Sequence, residues 1–213
     1  IKPFYDKNRE RAALGFEAGD FVLGLFPGSR RSEIREILPV LLRSLPLLKG
    51  QFSSFKVVLA QAHSLPDAVI QDILKESVIP IRVIKEHPYR VMAISDFLLM
   101  ASGTATLQAA LVGTPMVIVY RVNILTYLIA KLLVTINSIG LVNILAGREV
   151  APELIQGRMT PDRIAGEVVH LLTHPDRLSR MRKAFEEIRS MLGGPGASRR
   201  AAEIILADLR PRP

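Results

Sequence analysis

Apolar residues along this chain fall into two alternating patterns. Short, nearly unbroken apolar runs occur at 21–26, 55–60, 81–84, 97–100 and 116–119. Runs of that length and composition predict strands buried on both faces. Between them, apolar residues recur at helical spacing. The clearest case is Ile34, Ile37, Leu38, Leu41, Leu42 and Leu45, at i, i+3, i+4, i+7, i+8 and i+11, which form one continuous face. Ser32 is the expected N-cap of that helix, and Pro39 should kink it or reset its first turn. Further helices are expected at 7–14, 67–76, 89–94, 104–112, 124–134, 161–172, 175–191 and 198–209, the last after the breaker Gly193-Gly194-Pro195-Gly196.

Apolar strands alternating with helices predict a parallel sheet covered on both faces, a Rossmann-like three-layer α/β domain. Residues 1–20 are polar and irregular and read as a linker or a domain entry. Residues 21–192 read as the domain, and 193–213 as a C-terminal crossover helix with its tail. Ligands of such sheets bind beyond the carboxyl ends of the strands, so the strand-to-helix turns are where function is to be sought.

Composition narrows the partners. With 49% hydrophobic residues in 213, the chain can bury a full core. No cysteine is present, which excludes disulfides and thiolate metal sites and is compatible with a reducing cytoplasm. Residues 1–6 carry no charged-then-apolar leader. The longest apolar stretch, 124–136, is interrupted by Lys131 and falls short of the roughly 20 residues a bilayer span needs, so the reading is soluble or peripheral. A net charge of +8 suits nucleic acid, anionic lipid or phosphorylated ligands, and equally a plain basic surface. Aromatics are only 6%, without Trp and without basic–aromatic interleaving, which argues against nucleic acid. His63, His87, His170 and His174 share no ligand-like spacing, so no metal and no cofactor is expected.

Two turns look built for phosphate. In the first, Pro27-Gly28-Ser29-Arg30-Arg31-Ser32-Glu33, Gly28 permits a tight bend, Ser29 and Ser32 offer hydroxyls, and Arg30 can make paired hydrogen bonds to phosphate oxygens. In the second, Ala101-Ser102-Gly103-Thr104-Ala105-Thr106-Leu107-Gln108, small residues would let a ligand lie against the backbone. The hydroxyls of Ser102, Thr104 and Thr106 and the helix N-terminus would meet a diphosphate. Each turn is also compatible with an ordinary capped helix start. Neither matches a Walker A loop or a G-x-G-x-x-G fingerprint. A third segment, 142–149 with Asn143, Arg148 and Glu149, can face a ligand or simply cap a helix and bridge on the surface. The stripe Leu125, Leu128, Ile129, Leu132 and Leu133 reads as core or as a membrane-facing surface. Ile204, Ile205 and Leu209 of the last helix need something to pack on.

In order along the chain, 25–30 with 32–34, 101–107, 115–117 with Tyr120-Arg121, and 143–149 with 152–154 and Gln156 resemble lipid-A-disaccharide synthase. The likeness covers most of 21–210. It implies one half, the carboxyl half, of a two-domain GT-B glycosyltransferase, with the general base in the absent amino-terminal half. The implied reaction is inverting. It moves 2,3-diacylglucosamine from UDP-2,3-diacylglucosamine to 2,3-diacylglucosamine 1-phosphate (lipid X), forming a β-1,6 link in lipid A biosynthesis. The resemblance implies that Arg30 is catalytic as the charge partner of the diphosphate or of the phosphorylated acceptor. UDP would be bound by Gly28, Ser29, Arg30, Ser102, Gly103, Thr104, Ala105 and Gln108, and Arg121, Asn143, Arg148 and Glu149 would line the cleft between the halves. The family usually has Glu at position 108; Gln108 keeps the acceptor without the charge, which predicts weaker nucleotide binding. Implied partners are the amino-terminal half, an anionic membrane and a second copy of the chain, with a cytoplasmic location peripheral to the inner membrane of a Gram-negative bacterium. Two other readings stay open: a different UDP-sugar enzyme of this architecture, and a non-catalytic nucleotide-binding or membrane-docking module.

Overall fold

In a computed structural model, which describes residues 5–85, 87–121, 138–193 and 196–208, the five apolar runs are strands and a sixth, shorter strand joins them. The strands are β1 (Phe21–Phe26), β2 (Phe55–Gln61), β3 (Ile81–Lys85), β4 (Phe97–Ala101), β5 (Met116–Tyr120) and β6 (Glu153–Ile155). They form one sheet in the order β3-β2-β1-β4-β5-β6, and every pairing is parallel. The chain therefore builds outward from β1 in one direction, returns, and builds outward from β4 in the other. Registers such as Leu25 with Leu59 and Phe26 with Met100 bring the carboxyl ends of β2, β1 and β4 level.

Helices cover both faces. On one lie α2 (Arg31–Lys49), α3 (Asp67–Leu74) and α7 (Pro161–Thr173); on the other lie α1 (Lys7–Ala13), α4 (Pro88–Ile94), α5 (Thr104–Val112), α6 (Leu141–Ala146) and α8 (Pro175–Leu192). This is why the central strands β1, β4 and β5 are apolar throughout: Leu23, Leu25, Leu98, Leu99, Val117 and Ile118 are fully buried whichever way they point, whereas edge strand β3 exposes Arg82 and Lys85. Each such burial contributes about 1.5–3 kcal/mol. A last helix, α9 (Ala197–Asp208), leaves Ile204, Ile205 and Leu206 exposed. No helix among the described residues is long and apolar enough to cross a membrane. The helix expected over 124–134, with its apolar stripe, lies outside the described residues.

Three local expectations change. Helix α2 is unbroken from Arg31 to Lys49 although Pro39 and Pro46 lie inside it. An interior proline costs about 3 kcal/mol. Here Ile34, Ile37, Leu38, Leu41, Leu45 and Leu48, all fully buried, hold the helix against that cost. Its N-cap position is Arg30, not Ser32, and the capping group is the side chain of Glu33. Segment 141–155 holds a helix and an edge strand that the pattern does not reveal.

Residues 5–20 carry helix α1, capped by the Asp6 carboxylate, which accepts from the amides of Asn8 and Arg9. Buried Arg11 donates to the carbonyl of Ile94 at 2.8 Å, to that of Asp20 at 3.3 Å and to Asp96 at 2.6 Å. Lys7 reaches the other oxygen of Asp96 at 2.8 Å, and the Val22 amide also donates to this carboxylate. Burial pulls the Asp96 pKa upward, but Lys7, the Val22 amide and Arg11 together outweigh it and leave it below the ordinary carboxylate value. This cluster ties α1 to the amino ends of β1 and β4.

Candidate functional site

Because all six strands are parallel, their carboxyl ends share one rim. The turn reversal lies between β1 and β4, and there the loops following the two strands part to opposite faces and leave a crevice. The turns at 27–30 and 102–103 leave these two strands side by side, since Phe26 and Met100 are register partners. Ser29, Arg30 and Thr104 are exposed there, while Gly28, Ser102, Gly103, Ala105 and Gln108 are half-buried.

The second bend is held from behind. Ser102 donates its amide to the carbonyl of Val119 at 3.2 Å and its hydroxyl to that of Ile139 at 2.7 Å. Thr106 donates its hydroxyl to the carbonyl of Gly103 at 2.8 Å. These two hydroxyls are therefore structural donors rather than diphosphate donors. What the bend offers is backbone: the amides of Gly103, Thr104 and Ala105 make no hydrogen bond among the described residues, and they open helix α5. Gly103 has φ 156°, and a Cβ built on it would meet nothing within 4 Å among the described residues. Thr104 adds an exposed hydroxyl, and Gln108 follows one turn later.

The first bend is organised differently. The amides of Ser29 and Arg30 both donate to one carboxylate oxygen of Glu33, at 2.9 and 3.2 Å. The Arg30 guanidinium pairs with the other at 2.9 Å. Gly28 sits at φ 116°, and any Cβ there would collide with the Glu33 side chain. From the neighbouring β2 loop, Ser64 donates its hydroxyl to the Ser29 carbonyl at 3.1 Å. At the end of β2, buried Gln61 donates to the Leu65 carbonyl and to Asp67, a carboxyl held below its ordinary pKa chiefly by Lys85 and then by Gln61. The first bend thus presents the Arg30 side chain, 74% exposed, rather than the amides of Ser29 and Arg30.

The remaining candidates separate. Arg121 lies on the same rim, at the carboxyl end of β5, but its guanidinium spans to the carbonyls of Met159 (2.9 Å) and Gln156 (3.4 Å) and fastens the turn after β6. Gln156 itself holds a positive φ of 52°. Asn143 is 1% exposed and fully engaged. Its amide nitrogen donates to the Ala151 carbonyl (2.7 Å) and to Glu153 (2.8 Å), and its oxygen accepts from the amides of Val150 and Ala151. It has no surface to offer a ligand. Arg148 and Glu149 lie in the turn that leads into the amino end of β6, the opposite rim from the two bends; Arg148 pairs with Glu187 of α8 at 2.8 Å. The structure therefore brings together Gly28, Ser29, Arg30, Ser102, Gly103, Thr104, Ala105 and Gln108, places Arg121 beside them, and leaves Asn143, Arg148 and Glu149 apart.

Two carboxylates escaped the sequence reading. Glu33 was legible as the acid three residues into a helix start. Glu153 had no such signal: 6% exposed, it accepts from the amides of Ile139 and Gly140 at 2.9 Å each and from Asn143. It thereby fixes the carbonyl of Ile139 on which the Ser102 hydroxyl rests.

A family model described as lipid-A-disaccharide synthetase matches residues 1–207. Lipid-A-disaccharide synthases of Geobacter metallireducens and Nitrosococcus oceani are each 40% identical over 209 residues, covering 98% of this chain and 54% of the relative. The chain thus spans about half the length of these relatives. Among solved structures, Anabaena HepE in complex with UDP-glucose aligns with a TM-score of 0.62 at 15% identity, over 98% of this chain and 54% of that one. The calicheamicin glycosyltransferase aligns at 0.57 and 20% identity, over 92% and 44%. UDP-GlcNAc 2-epimerase of Neisseria meningitidis bound to UDP-GlcNAc aligns at 0.54 and 17%, over 87% and 48%. These likenesses concern the Rossmann-like fold.

Proposed function

The chain belongs to the lipid-A-disaccharide synthetase family, and on that footing we propose that it is the half of a GT-B glycosyltransferase that holds the nucleotide sugar. The donor is UDP-2,3-diacylglucosamine, the acceptor is 2,3-diacylglucosamine 1-phosphate, and the product is the β-1,6-linked disaccharide precursor of lipid A. The observation that carries this reading is the pairing of open amides at 103–105 with the Arg30 guanidinium across neighbouring strands β1 and β4.

The chemistry follows from charge. The acceptor hydroxyl attacks the anomeric carbon from the face opposite UDP, and a carboxylate from the amino-terminal half removes its proton. The bond to the leaving diphosphate breaks, and negative charge grows on its oxygens. Backbone amides at the start of α5 and the Arg30 guanidinium stand where that charge develops, and their orientation is fixed before the reaction. Gln108 accepts from the ribose hydroxyls, and Arg121 closes the same rim. The chain turns over substrate with its amino-terminal half and works peripherally at the cytoplasmic face of the inner membrane, where its net charge of +8 favours anionic lipid.

Calorimetric titration of the chain with UDP and with ADP, in the absence of magnesium, tests the assignment. Saturable, UDP-selective binding is expected; binding of neither nucleotide defeats it. Adding a separately expressed amino-terminal half should then restore disaccharide synthesis.

A further inference from the structure

The two bends differ in the amides at their tips. Those of Gly103, Thr104 and Ala105 make no hydrogen bond among the described residues, whereas those of Ser29 and Arg30 are already given to Glu33. Glu33 fills the place that an anion would take at the first bend, and Gly28 is the residue that leaves room for it. The same carboxylate turns its second oxygen to the Arg30 guanidinium at 2.9 Å. Glu33 is 11% exposed and Arg30 74%, so a nearly buried anion anchors one edge of an otherwise free cation. Ser64 braces the bend from the β2 side.

An exposed arginine samples many rotamers, and ordering it on a ligand costs conformational entropy. A guanidinium already pinned by one edge leaves its remaining N–H groups aimed and loses less on binding. We infer that Glu33 is the positioning residue of Arg30: it withholds the amides of Ser29 and Arg30 from a ligand phosphate and aims the Arg30 guanidinium at it instead. The inference rests on the nucleotide-sugar reading above. The Glu33 charge is already met by two amides and the guanidinium, so removing it offers an incoming phosphate little, while freeing Arg30 costs it the aim.

The test is UDP titration of the unaltered chain, Glu33→Gln, Arg30→Ala and the double variant, each checked for thermal unfolding. Glutamine keeps a neutral acceptor for the two amides, so the bend survives while the ion pair is lost. Glu33→Gln should weaken UDP binding about threefold to tenfold when Arg30 is present and leave the Arg30→Ala background unmoved. An equal loss in both backgrounds makes Glu33 a helix cap only, and tighter binding makes it a competitor of the ligand; either overturns the inference. Unchanged binding by Glu33→Gln overturns it too, with the nucleotide reading intact. Failure of the unaltered chain to bind UDP overturns both.

Discussion

Asn143 and Glu153 form a buried pair in which the amide nitrogen donates to the carboxylate at 2.8 Å, with no cation among their hydrogen-bond partners in the described residues. The carboxylate is satisfied instead by amides, and the asparagine spans from α6 to the strand that follows. Asn143→Ala leaves the Glu153 oxygen and the amides of Val150 and Ala151 short of partners in the interior. The expected loss is about 2–4 kcal/mol, read from denaturant midpoints. Binding of UDP per folded molecule should stay close to that of the unaltered chain, since this residue faces no ligand.

The Ser102 hydroxyl rests on Ile139, so its removal acts on the bend and not on the phosphate. Ser102→Ala should weaken UDP binding only about threefold while lowering the unfolding temperature. Gly103→Val is the contrasting case. It places a branched side chain over the open amides and at φ 156°, and should cost more than about tenfold in affinity. Equal effects of the two variants would show that hydroxyls, not amides, hold the ligand.

Arg30→Ala removes the exposed cation of the first bend. UDP affinity should drop about tenfold, with stability altered by less than about 1 kcal/mol because the Arg30–Glu33 pair is open to solvent on the arginine side. Isothermal titration beside thermal unfolding checks both halves of the expectation.

Asp96 gives a pH signature. Its pKa lies below the ordinary carboxylate value in the folded state, so its stabilising contribution is fully present above the unfolded value of about 3.9 and is lost as pH falls through the folded one. Asp96→Asn leaves Arg11, buried, and Lys7 without their counter-ion, at a cost of about 2 kcal/mol near neutrality. The gap between the two proteins should narrow below about pH 4, and a gap independent of pH would contradict the ion-pair account.

The architecture was legible because its strands obey a simple rule. Runs such as 97–100, apolar on both faces, fit only a sheet covered twice, and that layout alone pointed to the turns beyond β1 and β4. Strand β6 was not legible, being three residues long with a glutamate at its head. Helix α2 contradicted the local rule for proline because burial of its leucines and isoleucines outweighs the backbone bonds lost at Pro39 and Pro46. Residue types identified the two bends but not their wiring. Serine and threonine beside a helix start suit a ligand or a carbonyl equally well, and only the fold shows that Ser102 and Thr106 chose carbonyls. Likewise Asn143, Arg148 and Glu149 look polar enough for a cleft, yet the parallel direction of β6 puts the turn holding Arg148 and Glu149 at the far rim.

Phe26 and Met100 stand opposite each other in the sheet although two strands and three helices intervene along the chain. A ribosome must therefore release β2 and β3 with their helices before the crevice has its second wall. A folding species in which β4 has not yet paired with β1 lacks one wall of the crevice. Nucleotide added during refolding should accordingly leave the first kinetic phases untouched and slow only the unfolding of the finished domain.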